Sequence, residues 1–156
     1  QERVGSAWMP TLEAAAAGIA AADFGARGFA LMGISAARMH HVTPRAVGVA
    51  VVAAPRRRKT IELTDRRAAV RFLVRDLEVM DLELMETDLG RCLVTTPEQT
   101  LLDLSHRAGQ RGLTEDVAAA MRALAPLCDP EELAVIAGRQ RLGRALGRLR
   151  REGLVP

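Results

Sequence analysis

The sequence predicts an α+β domain: a mainly antiparallel sheet of four to five strands preceded by two helices and followed by a C-terminal helical group. Three observations carry that expectation. Short apolar or alternating runs crowd between residues 46 and 95. Apolar residues at helical spacing dominate on either side of that stretch. Thr11, Thr96, Thr114 and Asp129 each stand where a helix can begin. With 156 residues, the chain fits one domain, residues 1–156, with a core of its own.

In chain order, Gln1 to Pro10 reads as an extended lead-in. Thr11 can cap a helix through Ala22, with Leu12, Ala15, Ala16 and Ile19 on one face, and Gly25 and Gly28 end it. Ser35 can open a short helix, Ala36 to His41, which Pro44 forbids from continuing. Ala46 to Ala53 is nearly all apolar and suits a central strand covered on both faces. Thr60 to Leu63 and Val70 to Val74 are shorter strand-like runs flanked by arginine. Asp81 to Leu89 alternates polar and apolar residues, as a strand with Asp81 and Glu83 on its wet face would. The Asp88-Leu89-Gly90 turn then leads into a strand from Cys92 to Thr95.

After that strand the chain is helical. In TTPEQTLLDL, Thr96 is a cap, Pro97 suits the first helical position and Gln99 completes a capping-box pattern, so a helix runs to about Ala108. Thr114 caps a second helix carrying Val117, Met121 and Leu124. Asp129-Pro130-Glu131-Glu132 is another capping box and opens a third. That helix, or a fourth after Gly138, runs through Arg151 and stops at Gly153.

Composition narrows the function. Aromatic residues make up 3% of the chain, with no Tyr and one Trp, which argues against stacking of single-stranded bases. Cys92 and Cys128 have no CxxC partner and suit small apolar fillers in a reducing cytoplasm. The run Ala14 to Ala22 is too short to span a bilayer, so no membrane role is expected. Because residue 1 is Gln, the numbering is expected to begin inside a longer gene product.

No catalytic pattern is present. Asp81-Leu82-Glu83 has the acid-x-acid form of a magnesium site, but such a pair needs a third carboxylate and an upstream Gly-Ser turn, and Gly5-Ser6 is much too distant in sequence. Lys59 is the sole lysine, and it follows arginines rather than Glu-x, so no nuclease unit forms. No Gly-x-Ser-x-Gly elbow, P-loop or GxGxxG occurs. His40-His41 lacks nearby ligands at metal spacing; one ring is expected packed and the other at the surface. No enzyme activity, cofactor, metal or small-molecule substrate is therefore expected.

The positive charges cluster. The net charge is +3, carried mostly by arginine. Arg56, Arg57, Arg58 and Lys59 are four consecutive cations, whose mutual repulsion calls for a nearby anion. That anion is either a phosphate or acidic partner surface, or the acidic run Asp81 to Asp88. Near the C-terminus Arg141, Arg144, Arg148 and Arg151 are spaced to share one helical stripe, opposite Leu142, Ala145, Leu146 and Leu149. Such a stripe is either an ordinary solvated face or a phosphate-contacting surface.

The segment LMGISAARMHHV, Leu31 to Val42, resembles the Ser-Ala-Leu-x-x-His-Gly-Leu segment of AbiEi-type antitoxins. In that family a valine-rich strand, a basic loop and further strands follow, and then a Ser/Thr-Pro-Glu-Arg-Thr-Leu-x-Asp-Leu helix start. Here the last element is Thr96 to Leu104. The likeness runs from about Ala30 to Leu104, with two departures: Gln99 stands for Arg, which removes an ion pair at the helix start, and His41 stands for Gly. The resemblance implies the C-terminal domain of an antitoxin and transcriptional regulator in a type IV toxin–antitoxin, or abortive-infection, system. It implies promoter DNA and a cognate AbiEii-like nucleotidyltransferase toxin as partners. A winged helix-turn-helix would lie upstream, with residues 1–10 as its exit. The alternative is a protein-interaction domain that neutralises a toxin without DNA contact.

Overall fold

The computed structural model describes residues 9–43, 48–112 and 114–156. The start of the predicted Ala46 strand, Pro44 and the lead-in before Met9 lie outside them. In chain order the elements are α1 (Leu12–Phe24), β1 (Ala30–Leu31), α2 (Gly33–Met39), β2 (Val49–Ala54), β3 (Ile61–Glu62), β4 (Ala69–Val74), β5 (Leu82–Thr87) and β6 (Gly90–Thr95). Then follow α3 (Pro97–Arg111), α4 (Glu115–Leu124), a 3-10 turn (Ala125–Leu127), α5 (Pro130–Gln140) and α6 (Gly143–Arg151).

The α+β class holds, but the mainly antiparallel sheet of four to five strands does not. The sheet has six strands in the order β3-β4-β2-β1-β6-β5, and it is mixed. β2 pairs with β4 in parallel, from Val49 opposite Ala69 to Ala54 opposite Val74. β1 also pairs with β6 in parallel, through Leu31 and Val94. The remaining neighbours are antiparallel. The reason is topological. β3 sits outside β4, so the chain leaves β2, turns at the edge and returns alongside β2 in the same direction. β1, inserted between α1 and α2, joins the two halves of the sheet. The helix layout differs too: a strand separates the first two helices, and the last helical stretch breaks at Arg141 rather than after Gly138.

Local rules explain most boundaries. Thr11, Thr96 and Thr114 each accept a hydrogen bond from the third residue beyond, and Asp129 from the second, as N-caps do. The capping boxes, however, are completed from elsewhere in the fold. Thr96 N–H donates to the Asp81 carbonyl at 3.1 Å, while Gln99 turns inward. Asp129 N–H donates to Glu98 Oε2 at 2.8 Å rather than to Glu132. Ser35 is not a cap either; helix α2 starts earlier, and the Ser35 hydroxyl accepts from Val51 N–H at 2.8 Å, fastening α2 to β2. His41 lies at φ 62, left-handed backbone that favours glycine.

One sheet face is covered by α1 through Ala16, Ala20, Val52, Val70 and Val94. Small residues on α1 allow the close approach. The helical group α3–α6 forms its own core around Leu101, Met121, Leu133 and Leu149, with Ala37 of α2 joining it. The other sheet face buries Ala30, Met32, Ala53 and Met80. Burial lifts the thiols of Cys92 and Cys128 to about 11 and about 12, so both stay protonated and fill space.

Candidate binding surfaces

The basic loop joins β2 to β3. In it the cations alternate. Arg58 Nη1 donates to Asp23 Oδ2 at 2.9 Å, and Arg56 Nη2 lies 3.4 Å from Oδ1 of the same carboxylate. Asp23 sits in the last turn of α1. The two guanidinium groups also cover aromatic rings, Arg56 over Phe24 at 4.6 Å and Arg58 over Phe72 at 5.2 Å, a favourable cation–π arrangement. Arg57 and Lys59 are exposed, and neither makes an ion pair with the described residues. Two of the four cations thus share one carboxylate.

The acid that answers this loop is not the run Asp81 to Asp88. β5 forms the opposite edge of the sheet from β3, and its acids are engaged there. Asp88 Oδ2 accepts from Thr11 N–H at 3.0 Å. Asp81 Oδ2 accepts from the Thr96 hydroxyl at 2.7 Å. Glu83, whose side chain is 43% exposed, lies 3.8 Å from His40, and Glu86 lies 3.7 Å from Arg91. His40 is packed, its Nε2 2.8 Å from the Thr95 carbonyl oxygen, while His41 is exposed.

The turn between β3 and β4 adds to the basic edge. Arg66 donates to the Pro10 carbonyl at 2.8 Å and pairs with Asp65 at 3.0 Å, which holds the Asp65 carboxyl below its usual value. Arg67 is exposed beside them.

The C-terminal arginines do not form one stripe. Arg141 is in left-handed backbone at φ 58 and caps α5, so it precedes α6. Arg144 and Arg151 are exposed on α6. Arg148 instead lies against α3 at Gly109, where an added side chain would displace its guanidinium. Its Nε is buried without a hydrogen-bond partner.

A polar junction that sequence reasoning missed ties the sheet to the helical group. Arg75, just past β4, pairs with Asp103 of α3 at 3.3 Å. Gln99 Nε2 donates to Asp103 Oδ1 at 3.1 Å and to Gln140 Oε1 at 2.9 Å. Gln140 Nε2 returns a bond to Gln99 Oε1 at 2.7 Å and reaches the Val79 carbonyl at 2.8 Å. Arg75 is the cation that faces the buried Asp103 carboxylate. Burial pushes the Asp103 carboxyl above its usual value, against the pull of Arg75. The readable signal was two polar residues four apart, Gln99 and Asp103, among the leucines of α3.

Among the described residues no group of three or more His, Cys, Asp or Glu is placed to hold a metal, and no helix is long and apolar enough to cross a membrane.

Residues 29–151 match the family model described as the AbiEi antitoxin C-terminal domain. No curated protein matches the chain. Among solved structures, the crystal structure of an antigenic nucleotidyltransferase-like protein from Paracoccidioides brasiliensis is similar, with a TM-score of 0.62 over 92% of this chain and 91% of that one. The identity is 11%, so the likeness is one of fold.

Proposed function

We propose that this chain, which belongs to the AbiEi antitoxin C-terminal domain family, is the antitoxin-bearing part of a type IV toxin–antitoxin regulator and acts by binding rather than catalysis. Its cognate toxin is an AbiEii-like nucleotidyltransferase. The observation that carries the reading is the surplus of cations along the β3 edge. Arg57, Lys59 and Arg67 are exposed there, on the loop and the turn that flank β3. Exposed arginine and lysine on a rigid edge suit DNA phosphates, whose contacts position a protein without reading sequence. Sequence readout would come from a winged helix-turn-helix preceding this domain in the full-length regulator.

A second reading draws on a different observation. Arg56, Arg58 and Arg148 are engaged within the fold, which leaves fewer cations for phosphate than the sequence count suggests. On this reading the same edge meets an acidic surface of a protein, and DNA plays no part.

Co-expression with the neighbouring nucleotidyltransferase-type toxin tests the function. Restored growth is expected, and persistent toxicity despite folded antitoxin overturns the proposal. The double variant Arg57→Glu/Lys59→Glu separates the readings. Loss of promoter binding with growth rescue intact favours DNA contact; loss of rescue with promoter binding intact favours the protein partner.

A further inference from the structure

The two edges of the sheet carry opposite charge. β3 pairs only with β4, and β5 only with β6, so among the described residues neither outer edge has a strand partner. Beside β3 stand the exposed Arg57, Lys59 and Arg67. β5 and its flanks, Asp81 to Asp88, hold four acids and no base. The side chains of Glu83 and Glu86 are 43% and 79% exposed. Their contacts with His40 and Arg91, at 3.8 and 3.7 Å, are long, and water screens the second. Within one chain the two edges stand at opposite sides of the sheet. Between chains they can meet.

We infer that copies of this chain associate head to tail, with the acidic β5 edge of one copy against the basic β3 edge of the next. An open strand edge is a template for another strand. Of the possible edge pairings, charge favours one. β5 against β5 sets acid against acid, and β3 against β3 sets cation against cation, and both arrangements are repulsive. Strand direction agrees. β5 is antiparallel to β6, β6 is parallel to β1, and β1 is antiparallel to β2. β5 therefore runs with β2 and β4, whereas β3 runs against them. A copy shifted sideways along the sheet thus brings its β3 antiparallel to β5, with α1 on the same face in both copies. A cavity of about 590 Å³ lies beside β5. In its lining Met39 and Met85 suit the aliphatic stem of an arginine or lysine, and Glu86 and Asp88 its charge. Arg38 and His41 line it as well, and Arg38 pairs with Glu13. β3 is two residues long, so the junction is weak and relies on charge. Such a contact is heterologous and builds open chains or a ring. This inference goes beyond the function proposed above and does not require DNA.

Analytical ultracentrifugation of the chain without DNA, over a concentration series at about 0.05 M and about 1 M salt, tests this. At low salt the weight-average mass should rise above that of one chain as concentration increases, and high salt should suppress the rise. Arg57→Glu/Lys59→Glu and Glu83→Lys/Glu86→Lys should each stay at the mass of one chain when alone. Mixed in equal amounts they should associate, because the intact basic edge of one meets the intact acidic edge of the other. A one-chain mass at every concentration, a rise that salt does not weaken, association of either variant alone, or no association in the mixture would each overturn the inference. If the β5 double variant fails to fold, Glu86→Lys takes its place in the mixture. With no DNA present, the outcome is independent of promoter binding.

Discussion

Two regions of this molecule handle arginine in opposite ways. At the junction of β4 and α3, Arg75 pairs with a carboxylate buried among helices and shares a network with two glutamines. In the β2–β3 loop, Arg56 and Arg58 share one partly exposed carboxylate while Arg57 and Lys59 face outward. The first arrangement costs desolvation and so needs every partner. The second is screened by water and contributes little to stability. The difference separates cations that hold the fold from cations available to a partner, a distinction that charge counting alone does not make.

The largest expected effect is at the buried pair. Arg75→Ala leaves Asp103 without its compensating charge and should destabilise the domain by about 2–3 kcal/mol, read from urea unfolding at neutral pH. A loss below 0.5 kcal/mol, to within about the scatter of a surface substitution, would erase the contrast with the loop.

The pH dependence sharpens the same point. Burial raises the folded-state pKa of Asp103 above its ordinary value. The folded chain then holds that proton at pH values where the unfolded chain has released it. Across that window the folded state binds more protons, so this group's contribution makes stability fall as pH rises. Asp103→Asn should remove that fall, as thermal unfolding across an acidic pH series would reveal. An unchanged profile would mean Asp103 titrates as it does in the unfolded chain.

A smaller effect is expected in the loop. Asp23→Ala releases Arg56 and Arg58 and should cost less than about 1 kcal/mol. If the edge contacts DNA as proposed, the same substitution should strengthen salt-sensitive DNA binding, because two more guanidinium groups become available. Weaker DNA binding in a gel-shift titration would place the Asp23 pairs among the features that shape the surface.

What could be read from the sequence follows how far each rule reaches along the chain. The caps at Thr11, Thr96, Thr114 and Asp129 were legible because a cap and the backbone N–H that donates to it lie within three residues. The strands from Val49 to Thr95 were legible from apolar runs and the Asp88-Leu89-Gly90 turn. β1 was not, because Ala30–Leu31 is shorter than any periodicity window. The parallel pairing of β2 with β4 was hidden too, since it depends on β3 taking the outside edge. The candidate site was less legible for the same reason. Clustering of Arg56 to Lys59 is a local fact, but the acid that meets it lies on α1 and not on the acidic β5. The stripe from Arg141 to Arg151 assumed an unbroken helix, and the left-handed Arg141 breaks it. The Arg75–Asp103 junction joins positions 28 apart by way of the fold, beyond the reach of any spacing rule.

The most direct measurement is the salt dependence of promoter binding by the full-length regulator, with and without Arg57→Glu/Lys59→Glu. Each cation that neutralises a phosphate contributes about one unit to the slope of log affinity against log salt. The account predicts that the double variant folds with unchanged stability, binds the promoter more weakly and loses about two units of that slope. Identical slope and affinity in parent and variant would contradict it.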